Sequence, residues 1–64
     1  MDKFREKMYQ KIILQYELIL ESYSPNDKRF KTFEDAEDAR RCYKAKINAY
    51  VDILNFYNEV YKND

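Results

Sequence analysis

The sequence predicts an all-α fold, an antiparallel two-helix hairpin that dimerises into a four-helix bundle. Three observations carry this. Glycine is absent and the single proline, Pro25, stands well inside the chain of 64 residues, so a helix has few places to break. On both sides of that proline, apolar side chains recur at alternating steps of three and four. Beyond it, the apolar arc is wider than one neighbouring helix can cover.

The first helix is expected over about residues 2–23. It should stop before Ser24-Pro25-Asn26-Asp27. Proline lacks the amide proton that a helical ladder needs and restricts the residue before it to extended conformations, which suits a type I turn. The loop is expected over about 24–32. A second helix follows over about 33–61, because the Thr32 hydroxyl is placed to cap it and Asp35 stands three residues on, as in a capping box. Glu34, Asp35, Glu37 and Asp38 then suit the positive end of the helix dipole, and Glu37 is spaced to reach Arg40 and Arg41. Residues 1–64 form one domain.

Both helices carry tyrosine at heptad spacing. Tyr9, Tyr16 and Tyr23 are separated by Ile13 and Leu20; Tyr43, Tyr50 and Tyr57 are separated by Ile47 and Leu54. The alternating spacing is that of a coiled-coil seam. The two stripes are therefore expected to face each other, with Tyr16 near Tyr43 and Tyr9 near Tyr50, and their hydroxyls at the wet rim.

In helix two the arc also takes in Ala39, Cys42, Ala49, Ile53, Phe56 and Val60, about half the circumference at 100° per residue. Ile53, Phe56 and Val60 would meet water unless another surface covers them, and Ala49 would permit a close approach. These four are the expected protein interface. Leu14 and Leu18 lie opposite the tyrosine stripe of helix one. Lys3, Arg5, Lys7 and Lys11 crowd the amino end of that helix, while Glu17 and Glu21 sit toward its carboxyl end, which opposes the dipole. Docking against the end bearing Asp52, Glu59 and Asp64 would offset that cost.

Composition narrows the function classes. Twelve basic residues balance 12 acidic ones, which removes the simplest nucleic-acid or membrane-surface reading. With no histidine and no glycine, neither a catalytic triad nor a phosphate loop can be assembled, so no enzyme, cofactor or metal is expected. The acidic cluster at 34–38 lacks the alternating oxygen ligands of a calcium loop. A lone Cys42 makes no intrachain disulfide and is expected to act as a small buried hydrophobe. The apolar runs are far short of a span of about 20 residues, and Met1-Asp2-Lys3 opens no signal-peptide core. A soluble, cytoplasmic chain is expected.

The function expected is a small non-enzymatic protein-binding regulator or inhibitor, binding itself and one other protein. Its lysine, tyrosine, asparagine and isoleucine richness suits an AT-rich genome such as that of a phage or mobile element. A nucleic-acid accessory role is the alternative, through Lys28, Arg29 and Lys31 interleaved with Phe30 and Phe33. A permanently bound subunit of a larger assembly is the third.

Overall fold

Each helix is set by its caps. The computed structural model describes residues 2–25 and 28–62. Helix α1 runs Lys3–Glu21, and the Asp2 carboxylate before it accepts the Phe4 amide at 2.8 Å. At its far end Ser22 donates its amide to the carbonyls of Leu18 and Ile19, and Tyr23 and Ser24 donate three residues back. The last turn therefore tightens before Pro25. The expected turn over Ser24–Asp27 lies partly outside the described residues, since Asn26 and Asp27 are among those not described.

Helix α2 runs Phe33–Tyr61. Thr32 is its extended N-cap and accepts the Asp35 amide at 3.0 Å, with Glu34 and Asp35 in the first turn. The two helices pack side by side as an antiparallel hairpin, and the described residues contain no strand. None of the helices is long and apolar enough to cross a membrane.

The seam of α2 is the expected one. Ile47 and Leu54 are buried, with Tyr43, Tyr50 and Tyr57 partly covered between them, and Ala36 and Arg40 extend the row toward the loop. The seam of α1 is not. Tyr9, Ile13, Tyr16, Leu20 and Tyr23 are all exposed, and the buried row lies one residue earlier, on Met8, Gln15, Ile19 and Ser22 with Arg5 and Ile12 half-buried. Helix α1 thus has two adjacent heptad rows, 100° apart. With three tyrosines already in the seam of α2, a second tyrosine row opposite would overfill the space between axes about 8–10 Å apart, whereas slimmer side chains interdigitate. The expected pairings of Tyr16 with Tyr43 and of Tyr9 with Tyr50 are replaced: Lys11 reaches over the Tyr50 ring, and Arg29 donates to the Tyr43 hydroxyl.

The resulting core is thin. Met8, Ile19, Ala36, Ile47 and Leu54 are its buried apolar members, and none falls below 2% exposure. The accessible surface is 5291 Å² for 7.9 kDa, against about 4,400 Å² for a compact monomer of that mass. The Cα radius of gyration is 14.8 Å, with extents of 48 × 18 × 11 Å.

Candidate functional site

Two exposed apolar rows mark the candidate surfaces, and helix geometry sets where they lie. The α1 row, Tyr9 to Tyr23, stands one residue after each seam position of that helix. The α2 row, Cys42, Ala49, Ile53, Phe56 and Val60, stands one residue before each seam position. Because the helices are antiparallel, a step forward on either turns toward the same side of the hairpin, so these rows occupy opposite faces. Contacts fix the assignment: Tyr16, on the first face, borders a surface cavity with Lys44 and Asn48, each one residue after a seam position. Lys11, one residue before a seam position, meets Tyr50 from the other side.

On the first face, Leu20 is 71% exposed and Ile13 and Tyr16 stand more than half open. Glu6, Gln10 and Glu17 border the row, all exposed. The second face has Phe56 at 73% exposure, with Ile53 and Val60 about half exposed and Ala49 in the exposed class. Leu14 is exposed and Leu18 partly so, on α1 beside it. Cys42 is exposed, which corrects its expected burial. A residue one position before the seam is turned about 100° away from the neighbouring helix and faces solvent.

The loop cations divide. Arg29 is held against the hairpin: it donates to the Leu18 carbonyl at 3.0 Å and the Tyr43 hydroxyl at 3.4 Å, and its guanidinium lies 5.0 Å from the Phe30 ring. Lys28, Arg29 and Lys31 are all exposed, and Arg29 alone of the three is fixed by these contacts to both helices.

Charge is also used differently from expectation. Ion pairs at spacing three join Asp2 with Arg5, Glu37 with Arg40, Asp38 with Arg41, and Glu59 with Lys62. Arg41 thus pairs with Asp38 rather than with Glu37. The helices are tied instead by mixed polar contacts at their two ends. At the open end Arg5 donates to Asn58 at 2.7 Å, Tyr57 donates its hydroxyl to Asp2, and Phe4 stacks on Tyr57 with ring centroids 4.3 Å apart. The Tyr57 hydroxyl and the Phe4 amide hold the Asp2 carboxyl below its ordinary range, and the Asp2 carboxylate pushes the Tyr57 phenol up. At the loop end Arg40 is 7% exposed and is fully engaged, with Ser22, Glu37 and the face of Tyr23.

Among the described residues no group of three or more His, Cys, Asp or Glu side chains converges as a metal site. The arrangement is that of an all-α hairpin with two apolar faces. No protein-family model, no curated protein and no solved structure matches the chain.

Proposed function

We propose that the chain is a small protein-binding hairpin, a regulator or inhibitor that works by occupying a surface of another protein. The observation that carries this reading is the α1 row: five large apolar side chains at heptad spacing, exposed on a helix whose adjacent row already packs against α2. A heptad row of that length is the footprint of a partner helix, with residues at i, i+4 and i+7 as anchors. Tyrosine suits such a surface because it gives a large contact area with little side-chain entropy to lose and keeps a hydroxyl for the rim.

The partner helix for this face would be apolar on one side and basic along the border that meets Glu6 and Glu17. The nucleic-acid alternative has weaker support, because Arg29 already serves the hairpin and the acidic residues of the α2 first turn lie close by in sequence. The test is affinity capture from the native host with the tagged chain, comparing wild type with Tyr16→Glu and Leu20→Glu. A protein captured by the wild type and lost with both variants supports the reading. Equal capture by all three, or loss only with Lys28→Glu and Lys31→Glu, overturns it.

A further inference from the structure

We infer that two copies of the chain join along the outer edge of α1, their α1 helices antiparallel about a two-fold axis at the level of Ile12. The edge is a third heptad row of that helix. Lys3, Lys7, Gln10, Leu14, Glu17 and Glu21 follow one another at alternating steps of four and three, within about 80° of arc and turned away from the seam with α2. All six are exposed, and Leu14, near the middle, stands half in water.

Within one hairpin the order of charge on this row is costly. Lysines stand at the amino end and glutamates at the carboxyl end, against the helix dipole. Lys3 and Lys7 repel each other at spacing four, as do Glu17 and Glu21. A row that only met water could carry the reverse order, which the dipole favours. Among the described residues Lys3, Lys7, Glu17 and Glu21 take part in no ion pair, so α2 does not offset the cost.

A second copy does. Turning the row end for end exchanges its signs: Lys3 comes opposite the partner's Glu21, Lys7 opposite the partner's Glu17, and Gln10 opposite the partner's Leu14. The three pairings share one centre and each occurs twice, as a two-fold axis requires. A parallel arrangement would set lysine on lysine and glutamate on glutamate, which charge disfavours. A different protein could match the row too, but it would not require the row to complement itself about its own centre. Lys11 stands beside the axis, where its own copy would repel it, but its ammonium is turned back over the Tyr50 ring, 6.0 Å from the centroid. Tyr9, Tyr16 and Tyr23 lie about 120° round the helix from this edge and stay open to another protein.

Sedimentation velocity of the full chain at low salt should show a dimer that grows with concentration and recedes as salt is added. Lys7→Glu and Glu17→Lys should each raise the dissociation constant at least about tenfold. Neither should lower the melting temperature of dilute protein, since each removes a like-charge neighbour and suits the dipole. Mixed in equal amounts, the two variants should form a heterodimer as tight as the wild-type dimer, because Glu17 of the first then faces Lys7 of the second and the two substituted positions face each other with opposite charge. A strict monomer at hundreds of micromolar and low salt overturns the inference. So does a dimer indifferent to both reversals, or a mixture that associates no more tightly than either variant alone.

Discussion

Arg40 of α2 closes the carboxyl end of α1 by binding Ser22 twice. Its Nε donates to the Ser22 hydroxyl at 2.7 Å and its Nη2 donates to the Ser22 carbonyl at 3.1 Å. Ser22 is the C-cap, where carbonyls lack helical partners, so a planar guanidinium from the neighbouring helix meets a need that α1 cannot meet itself. Glu37 at 2.7 Å and the Tyr23 ring 3.8 Å from the guanidinium carbon complete the shell of this buried cation. Arg40→Ala should lower stability by about 2–3 kcal/mol, and Arg40→Lys should recover only part, because an ammonium does not reproduce the fork. Thermal unfolding of both variants and of Ser22→Ala, combined in a double-mutant cycle, should give a coupling energy of at least about 1 kcal/mol.

At the opposite end the Asp2–Tyr57 contact makes stability depend on pH at both extremes. Asp2 has a folded value below its ordinary 3.8, so its contribution is present above that pH and is lost as the pH falls through the lowered value. Tyr57 has a folded value above its ordinary 10.0, so its contribution is present below pH 10.0 and is lost as the pH rises through the raised value. Tyr57→Phe should flatten the melting temperature against pH in both windows. A titration of Asp2 by NMR in that variant should move up toward the ordinary carboxylate value.

Gln15 lies in the seam at 6% exposure, and its Oε1 has no hydrogen-bond partner in the structure. A buried acceptor left unpaired costs about 1–3 kcal/mol. Gln15→Leu should therefore raise the free energy of unfolding by about 1 kcal/mol or more, measured by urea denaturation with an unchanged slope.

The register of α1 is tested by neighbours that differ by one position. Ile19→Ala removes a buried side chain and should cost about 2–4 kcal/mol. Leu20→Ala, on the exposed row, should stay within about 0.5 kcal/mol of wild type. Equal losses at the two positions would contradict the seam described here.

Much of this architecture is legible from spacing alone. Thr32 as a cap, Pro25 as the stop and the row Tyr43-Ile47-Tyr50-Leu54-Tyr57 as the buried face of α2 are local statements, and local chemistry decides them. The exposure of Ile53, Phe56 and Val60 follows as well, since they lie too far round the helix for one neighbour. Helix α1 is different. Two rows at the same spacing compete there, and the row with more aromatic area is the obvious choice by periodicity. Arg40 was likewise readable only as a partner for Glu37, because its bond to Ser22 spans 18 positions of sequence.

By itself, then, the sequence determined that there are two helices, where they begin and end, and which face of α2 is buried, because caps, breakers and periodicity act within a few residues. The tertiary structure decided which face of α1 joins it. That choice depends on how side chains of both helices share one space: once tyrosines fill the seam from α2, the slimmer row of Met8, Ile12, Gln15 and Ile19 fits against them. The tyrosines of α1 are turned out as surface, so apolar residues that look like core by their spacing stand in water.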